Sequence, residues 1–411
     1  MAEIRPFNAV RPDKEYARLV AALPYDVYSS KEAREKVSGD NYSFLRIDRA
    51  ETQLPPEVKF NEDIVYEKAK ELYDAMKADK IFITDPDRCY YIYSLVMEGR
   101  RQTGIVAASS VDDYMNNVIK KHENTREDKE LDRIRHVDTL SAQTGPIFLA
   151  YRKNDDINKV VLRILNEDEA LYSFTADDGV LHEVYKVTAK EDIDTIYNGF
   201  KATDSIYIAD GHHRAASAVK VSLKRREAMG EYTGEEEFNY FLSVLFPDEE
   251  LKIMDYNRTV KDLNGLDSET FMDEVSKVFN VEKSDMFNPD KKGVIGMYLE
   301  GSWYRLTVKE ELRNNTNPVT AMDVSYLQDK LLDPVLGIKD PRTDSRIDFI
   351  GGIRGLKELK RRADGDMKVS FAMYPTSIEE LFDVADAGLL MPPKSTWFEP
   401  KLRSGIFVHE I

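Results

Sequence analysis

The strongest sign of chemistry in this chain is the run Asp210-Gly211-His212-His213-Arg214. Two imidazoles and a guanidinium supply N–H donors that suit phosphate oxygens, and the glycine lets the backbone turn sharply beside them. The Asp210 carboxyl could orient a histidine, hold Mg²⁺ or accept a proton. We predict that Asp210 is catalytic and that the other four residues bind phosphate or nucleotide. In the alternative interpretation, Asp210 only caps a helix and the histidines are surface residues.

The sequence on either side of this run predicts a strand, a turn and a helix. Ser205–Ala209 is an apolar stretch typical of a buried strand, and Ala215–Met229 has the small and apolar residues of a helix. The first N–H groups of a helix lack internal partners, and the helix dipole adds partial positive charge there. A turn at Gly211 would therefore place the imidazoles and the guanidinium at an anion-binding helix terminus.

A second candidate group is the pair His122 and Glu123, which precedes a predicted helix over Thr125–Leu140. A carboxylate beside an imidazole at a helix entrance is a place where a general base could act near bound phosphate. We therefore predict catalytic roles for both residues. In the alternative interpretation, the segment is only a solvated, charged helix. The nearby side chains expected to support a phosphate site are Arg126, Arg133 and His136.

A third candidate lies in the proline-rich segment Met391–Lys401, which offers a lysine and two hydroxyl groups beside two aromatic residues. Prolines stiffen the segment, so that it could close over an anionic substrate. We predict that Lys394, Ser395 and Thr396 contact the phosphate. A rigid strap that merely buries the aromatic residues is the alternative. Arg258, which follows a predicted strand, is a weaker supporting candidate.

Composition limits the partners that such a site could serve. The chain has 411 residues, with 58 Lys and Arg against 75 Asp and Glu, which gives a formal charge of −17. A chain this acidic is not expected to bind nucleic acid or an anionic membrane as its main partner. No apolar run approaches the roughly 18 residues of a membrane span, and the single cysteine, Cys89, excludes internal disulfides. We expect a cytoplasmic protein whose partner is a small phosphorylated or hydroxylated metabolite.

Helix and strand patterns are mixed along the chain, which favours an α+β fold. Expected elements include a hairpin turning at Glu98-Gly99 and a short strand at Phe44–Ile47. Gly351-Gly352, before a helix, is interpreted as a point of close backbone packing. Four regions are expected: an N-terminal α/β region at 1–110, a central domain with the Asp210–Arg214 run at 111–262, an inserted α+β subdomain at 263–320, and a C-terminal α/β region at 321–411 that packs back on the core.

Several short stretches make the chain resemble, over nearly its full length, an uncharacterised prokaryotic family known as domain of unknown function 1015. They are RPFNAVRP, PYDV at Pro24–Val27, SFLRID at Ser43–Asp48, HENT at His122–Thr125, ADGHHRAASA at Ala209–Ala218, YNR at Tyr256–Arg258 and MPPKSTWFEPK at Met391–Lys401. The family name implies no activity.

The strand–DGHHR–helix unit by itself is similar to the phosphate-binding turn of the ParB and sulfiredoxin fold, which includes the ADP-dependent free serine kinases. Sulfiredoxins carry a cysteine where this chain has His212, so their reductase chemistry is rejected. The likeness to the serine kinases implies that Asp210 acts at the substrate hydroxyl or metal and that a separate glutamate is catalytic. Glu123 is the candidate for that glutamate by its residue type and setting, not by an aligned motif. His212, His213 and Arg214 would hold nucleotide phosphate. A ParB/sulfiredoxin-like core with additional mixed-sheet subdomains is therefore expected.

The hypothesis that joins these observations is a phosphoryl-transfer enzyme acting on a small hydroxylated metabolite, with serine or phosphoserine as the first candidates. A nucleotide, ADP or ATP, and Mg²⁺ would bind at Asp210–Arg214. The same groups would serve a phosphoesterase that uses water as the nucleophile. We predict that His122–Glu123 and His212–Arg214 line one cleft and that Lys394–Thr396 border it.

Two other classes of protein remain open at this point. One is a non-catalytic, nucleotide-binding regulatory protein, which would bind nucleotide without turnover. The other is a metal-dependent hydrolase, whose metal ligands would be His122, His136, His212 and His213.

Overall fold

The chain has the mixed α+β character expected from its sequence. The computed structural model describes residues 1–125, 127–313 and 316–411. Its strands are β1 (Ile4–Arg5), β2 (Val10–Pro12), β3 (Phe82–Thr84), β4 (Tyr90–Met97), β5 (Arg100–Ser110), β6 (Ile119–Lys120), β7 (Ala142–Gln143), β8 (Ile147–Tyr151), β9 (Tyr172–Thr175), β10 (Leu181–Val187), β11 (Ile206–Asp210), β12 (Tyr240–Pro247), β13 (Ile253–Met254), β14 (Tyr256–Val260), β15 (Phe279–Ser284), β16 (Val294–Leu299), β17 (Ser302–Val308), β18 (Ile347–Gly351), β19 (Val369–Ala372), β20 (Trp397–Phe398) and β21 (His409–Glu410).

Helices are distributed between the strands along the whole chain. They are α1 (Ala17–Val20), α2 (Ser30–Lys36), α3 (Leu45–Asp48), α4 (Asp63–Ala78), α5 (Val111–Met115), α6 (Glu127–Leu140), α7 (Asp155–Glu167), α8 (Lys190–Lys201), α9 (His212–Met229), α10 (Ser268–Val278), α11 (Asp323–Leu327), α12 (Gly355–Asp364) and α13 (Ile378–Asp386). The ParB/sulfiredoxin-like core stays a prediction.

The described chain divides into two compact units. The first comprises Met1–Leu251 together with Pro400–Ile411, and the second comprises Lys252–Glu399. The short C-terminal stretch thus belongs with the first unit although it follows the second in sequence. The division into four regions at 110, 262 and 320 stays a prediction.

A mixed nine-stranded sheet supports the first unit, with the order β6-β11-β8-β12-β5-β4-β10-β9 and with β1 beside β5. β6 runs parallel to β11, and β8 runs parallel to β12. The sheet and the helices α7, α8 and α9 share one apolar core, because each helix turns one apolar stripe towards the strands. Among its buried residues are Leu149, Ile157, Phe200, Ile206, Ile208 and Ala218.

The predicted strand–turn–helix unit is confirmed, and its helix begins earlier than expected. β11 ends at Asp210, Gly211 has φ 95°, and α9 begins at His212 rather than at Ala215. The first main-chain bond runs from the Ala215 N–H to the Gly211 carbonyl oxygen at 2.9 Å. The N–H groups of the three preceding residues therefore belong to the helix terminus, where intrahelical acceptors are lacking.

The hairpin predicted at Glu98-Gly99 is also confirmed. β4 and β5 pair antiparallel from Met97 opposite Arg100, and the two turn residues have φ 53° and 78°. Both turn residues thus adopt the positive φ that a tight hairpin with right-handed strand twist requires.

The second unit contains an antiparallel six-stranded sheet with the order β15-β17-β16-β19-β14-β18. The interpretation of Gly351-Gly352 as a close-packing point is confirmed. A Cβ added at Gly351 would lie 2.7 Å from the Trp397 ring, and one at Gly352 would lie 2.1 Å from the Asp255 carboxylate. Side chains larger than hydrogen therefore do not fit at either position.

The prediction of a strand at Phe44–Ile47 is wrong, because this segment contributes to the helix α3. Phe44, Leu45, Ile47 and Asp48 are all buried. That pattern satisfies helical spacing as well as strand alternation, and over so few residues periodicity cannot separate the two.

Replacement of Gly211 by alanine is expected to destabilise the first unit more than replacement of Gly179 by alanine. Both glycines have positive φ, 95° and 81°, so each substitution should cost about 1–2 kcal/mol of backbone strain. At Gly211 the new methyl group would also lie 3.1 Å from the Arg214 guanidinium, whereas nothing lies within 4 Å at Gly179. Urea unfolding curves measure both losses, and equal losses would contradict the close packing at Gly211.

Candidate functional site

Parallel pairing of β6 with β11 brings the two histidine segments together. Ile206 lies opposite Ile119 and Tyr207 lies opposite Lys120, so both strands end at the same edge of the sheet. The His122 and His212 rings meet edge to face with their centroids 4.5 Å apart. The structure thus joins residues that are 90 positions apart in sequence.

Both of these imidazoles are neutral at physiological pH. Burial lowers the pKa of His122 to about 4, with the Asp210 carboxylate opposing the shift. Burial and the neighbouring His122 hold the pKa of His212 well below its usual value. The His212 Nε2 accepts the His122 main-chain N–H at 3.5 Å, which indicates that the proton of the neutral ring is on Nδ1.

The Nδ1 atom of the His122 ring is a buried polar atom for which the described residues supply no hydrogen-bond partner. His122 is 2% exposed, and within the described residues its Nδ1 makes no hydrogen bond. A buried polar atom in this state carries a desolvation cost of about 1–3 kcal/mol. Such costs are retained most readily where a ligand or a reaction uses the atom.

Asp210 is surrounded by positive charge. The Lys401 Nζ donates to the Asp210 Oδ2 at 3.0 Å, and the Arg214 guanidinium lies 4.0 Å from the same oxygen. Desolvation alone would raise the pKa of this carboxyl, but Lys401 and Arg214 hold it well below its usual range. Asp210 is therefore ionised throughout the physiological range and is a weak proton acceptor.

Arg214 folds back over the turn that precedes its own helix. Its guanidinium lies against Gly211, where a Cβ would be 3.1 Å from three of its atoms. Its Nη1 also donates to the carbonyl oxygen of Pro146. These two contacts fix the guanidinium at the helix terminus, beside the Asp210 carboxylate.

Glu123 lies beside the same terminus. Its Oε2 is 3.7 Å from the His212 Nδ1, and its side chain is 38% exposed. The carboxylate therefore faces the neutral imidazole and remains accessible to a small molecule. Nearby, Thr125 donates its hydroxyl proton to Glu130, which also accepts from Lys220. Arg126, predicted to support the phosphate, lies outside the described residues.

Arg133 and His136, two other predicted supporting residues, line a cavity of about 340 Å³. The Arg133 guanidinium stacks over the Tyr25 ring at 4.0 Å and is paired with Asp132 at 2.8 Å. The His136 Nε2 lies 4.0 Å from the Asp48 carboxylate, and burial together with Arg133 lowers the pKa of His136 to about 4.

A smaller adjoining cavity connects these residues with the turn. It shares Tyr25, Asp48, Arg133 and His136 with the larger cavity and adds Arg214 to the lining. Arg214 thus contributes to two groups of predicted residues, one at the helix terminus and one in the cavity.

The remaining predicted site residues belong to the second unit. Arg258 donates from Nη2 to the Lys394 carbonyl oxygen at 3.0 Å. The Ser395 hydroxyl donates to the Pro392 carbonyl oxygen at 2.6 Å, so it is engaged within its own segment. Thr396 is half-buried. That Lys394, Ser395 and Thr396 border the cleft stays a prediction.

Sequence reasoning missed Lys401, Tyr25 and Asp48 as possible site residues. Each lies in a stretch that carries the family resemblance, namely MPPKSTWFEPK, PYDV and SFLRID. Membership of these stretches is the signal in the sequence that points to the three residues. His213 is half-buried in the first turn of α9, and its phosphate role stays a prediction.

The described residues do not form a metal centre. Within residues 1–125, 127–313 and 316–411, no three His, Cys, Asp or Glu side chains are grouped so that they could hold an ion. His136 contacts the Ile47 carbonyl oxygen and lies near Asp48, so the four predicted histidine ligands are not gathered around one point. None of the described helices is long and apolar enough to cross a membrane.

The sequence profile of the family described as "Protein of unknown function (DUF1015)" matches residues 4–325. The chain belongs to this family. The membership predicted from the short motifs is thereby confirmed, although the motif Met391–Lys401 lies beyond the matched residues. No curated protein matches the chain.

Among solved structures, the chain is similar to a free serine kinase in complex with AMP, with 14% identity, coverage of 73% of this chain and 91% of that chain, and a TM-score of 0.35. A conserved hypothetical protein from Pyrococcus furiosus has 15% identity, 74% and 94% coverage and a TM-score of 0.35. SbnI with a C-terminal truncation, from Staphylococcus aureus, has 11% identity, 73% and 85% coverage and a TM-score of 0.38. Similarity this distant does not decide the activity of this chain.

Replacement of His122 by glutamine is expected to flatten the dependence of stability on pH between pH 6.5 and 4. Because the pKa of His122 is lower in the folded chain than in the unfolded chain, the unfolded chain binds the proton first as the pH falls. Stability that is fully present above pH 6.5 is thus lost towards pH 4, by at most about 3 kcal/mol for this group.

Urea unfolding at several pH values measures this slope, and the Asn124→Gln protein is the matched control. Asn124 is an exposed, non-titrating neighbour in the same loop, so its variant should keep the slope of the unmodified protein. A slope unchanged in the His122→Gln protein would contradict the neutral, buried state of this imidazole.

Proposed function

We propose that this protein is a phosphoryl-transfer enzyme that moves a phosphoryl group between a nucleotide and a small hydroxylated metabolite, with serine as the first candidate. The observation that carries the proposal is the convergence of Glu123, Asp210, Arg214 and Lys401 on the N-terminus of α9. These groups come from three separate stretches of the chain. Together they provide charge for phosphate and an accessible base.

The positive groups suit the phosphate of a nucleotide. Arg214 and Lys401 are two cations within 4.0 Å of one carboxylate oxygen, and the N–H groups at the start of α9 add further donors. Phosphoryl transfer depends mainly on positioning and on stabilising charge spread over the phosphoryl oxygens. A guanidinium fixed by Gly211 and Pro146 supplies that charge in a constant place.

Glu123 is the better candidate for the general base. Asp210 is the better candidate for the carboxylate that pairs with Lys401 and Arg214. The strongly lowered pKa of Asp210 makes its carboxylate a weak proton acceptor, whereas Glu123 is accessible beside a neutral imidazole. In the proposed step, the metabolite hydroxyl oxygen forms a bond to the terminal phosphorus of the nucleotide. The bond from that phosphorus to the bridging oxygen breaks, and the hydroxyl proton passes to Glu123.

The cavity beside Arg214 is the proposed place for the metabolite. Its lining combines the Arg133 guanidinium with the Asp48 carboxylate, which would suit the two charged ends of a small amino acid. Its adjoining chamber of about 340 Å³ is large enough for such a molecule. Arg214 would then lie between the metabolite and the nucleotide phosphate.

Magnesium fits this arrangement only in part. The ion usually takes one or two protein carboxylates and completes its shell with phosphate oxygens and water. Asp210 already interacts with two cations, and the described residues provide no cluster of three ligands. Mg²⁺ at Asp210 therefore stays a prediction, and the proposed step does not depend on it.

Nucleotide binding is the first test of the proposal. Isothermal titration with ADP and with ATP should give saturable binding, and the Arg214→Gln protein should bind at least about tenfold more weakly, because a charge-assisted contact is lost. The Lys224→Gln protein is the control, since it removes one exposed cation from the same helix. Absence of nucleotide binding in the unmodified protein would overturn the proposal.

Turnover is the second test, with serine plus ADP or ATP in one assay and phosphoserine in the other. The Glu123→Gln protein should lose about 10²–10⁴-fold in kcat, which is the usual contribution of a general base. The Glu127→Gln protein makes the same change at an exposed position of α6 and should keep its activity. Nucleotide binding without phosphoserine formation or hydrolysis would contradict the catalytic proposal and favour the regulatory class.

The metabolite cavity is tested by exchanging Arg133 for lysine. This change keeps the charge but removes the planar group that stacks on Tyr25, so KM for serine should rise while the affinity for nucleotide is kept. The Arg163→Lys protein, altered on α7 where the arginine pairs with Asp192 outside both cavity linings, is the control. Equal KM values in the two variants would remove the cavity from the proposal.

A further inference from the structure

The second unit has its own cavity, of about 340 Å³, on a face formed by β14, β18 and the segment before β18. Three positively charged side chains line it, together with one carboxylate. They are Arg258, Lys339 and Arg342, and the carboxylate is that of Asp340. The lining is thus net positive by two charges in a chain whose formal charge is −17.

Arg258 is a buried cation without a matching carboxylate. It is 4% exposed, and its hydrogen bonds go to the main-chain carbonyl oxygens of Tyr256, Pro393 and Lys394. Among the residues that the structure describes, no Asp or Glu forms an ion pair with it. Its guanidinium also lies 5.5 Å from the centre of the Phe349 ring. Carbonyl dipoles and a ring face compensate a full charge only in part.

Two other buried arginines have a carboxylate partner that compensates their charge. Arg11 donates two hydrogen bonds to Asp85 at 2.8 and 2.9 Å, and Arg133 lies 2.8 Å from Asp132. Desolvation lowers the pKa of Arg258 to about 10. At Arg11 and Arg133, the neighbouring carboxylates outweigh the effect of burial and raise the pKa of the guanidinium. Of these three buried guanidinium groups, Arg258 is the one that would gain most from an anion.

The other cations of the cavity lining also favour an anion as the ligand. Lys339 is exposed, and Arg342 is held by Asp340 through two contacts of 2.9 Å. The lining therefore combines one exposed cation, one cation paired with a carboxylate and one buried cation. Long-range attraction of an anion into a recess of this kind is stronger than on an open surface, because the low-dielectric walls focus the field.

An irregular helical turn forms another part of the lining. Gln328–Leu332 is a π-helical turn, in which the Asp333 N–H bonds to the Gln328 carbonyl oxygen five residues back at 2.9 Å. Gln328 belongs to the cavity lining, and its side chain donates to the Ile338 carbonyl oxygen at 2.7 Å. Turns of this kind are rare and recur at functional sites, since they displace side chains from regular helical positions.

We infer that this cavity binds a small oxyanion, either a phosphate or a carboxylate group of a metabolite, between Arg258 and Lys339. The planar guanidinium would donate hydrogen bonds to two oxygens of the anion, and the Lys339 ammonium would donate to it as well. This site is separate in its residues from Asp210–Arg214 and stands whether or not the proposed phosphoryl transfer is correct.

Titration of the full-length chain with inorganic phosphate, and separately with malonate, tests the inference at constant ionic strength. The Arg214→Gln protein is the background, so that the proposed nucleotide site does not contribute. We expect one anion per chain, and an affinity at least about tenfold weaker after Lys339→Glu, because a favourable charge becomes a repulsive one. The phosphate and malonate arms show which oxyanion is preferred.

The Lys291→Glu protein is the matched control, with the same charge change at an exposed position of the second unit outside the cavity lining. It should retain the anion affinity of the background protein. Loss of affinity in both lysine variants alike would show that only general charge matters and would overturn the inference, as would absence of binding of either anion.

The Arg258→Met protein provides a second, independent measurement. In the Arg214→Gln background, phosphate should raise the apparent melting temperature of the chain that keeps Arg258, and removal of the buried guanidinium should abolish that rise. A variant that still gains stability from phosphate contradicts the inference. If the unmodified chain does not bind nucleotide but still binds phosphate in a way that depends on Lys339, the proposed phosphoryl transfer is wrong. The proposed anion site at Arg258 and Lys339 is then still supported.

Discussion

Parallel pairing of β6 with β11 is the constraint on which the candidate site depends. Two strands that run in the same direction end at the same sheet edge, so the chain beyond each strand emerges at one place. Local interactions cannot bring His122 to His212 across 90 residues. The pairing becomes favourable because Ile119 and Ile206 are buried in one apolar core, which offsets the entropy lost on closing the loop. The chemistry at this edge is thus a consequence of core packing.

The buried charged and titratable groups of this chain differ in how their charge is compensated. Arg133 is matched by Asp132, and Asp210 by Lys401 with Arg214. Among the described residues, Arg258 is compensated by carbonyl oxygens and a ring face without a carboxylate, while the imidazoles of His122 and His212 avoid the cost by staying neutral. The lining of the second-unit cavity has a net charge of +2 in a chain of −17, whereas the start of α9 combines its cations with the carboxylates of Asp210 and Glu123. An anion bound in the second-unit cavity would lower the electrostatic cost of burying Arg258.

The elements predicted with most success have a local physical signature. The hairpin at Glu98-Gly99 needs positive φ at its turn, and the strand ending at Asp210 is followed by a glycine that breaks it. The segment Phe44–Ile47 lacked such a signature, because four residues satisfy both periodicities and tertiary burial decided in favour of α3. The early start of α9 at His212 likewise depends on Gly211 adopting the left-handed conformation rather than on helix propensity.

The sequence by itself determined the family, the mixed fold class and the strand–turn–helix unit at Gly211, since each follows from short motifs or from neighbouring residues. Only the tertiary structure decided which side chains complete the site. Lys401 reaches Asp210 across 191 positions, and Arg133 meets Tyr25 through packing of segments far apart in the chain. The physical reason is that compensation of a buried charge requires a partner within about 4 Å in space, whereas a sequence pattern records separation along the chain.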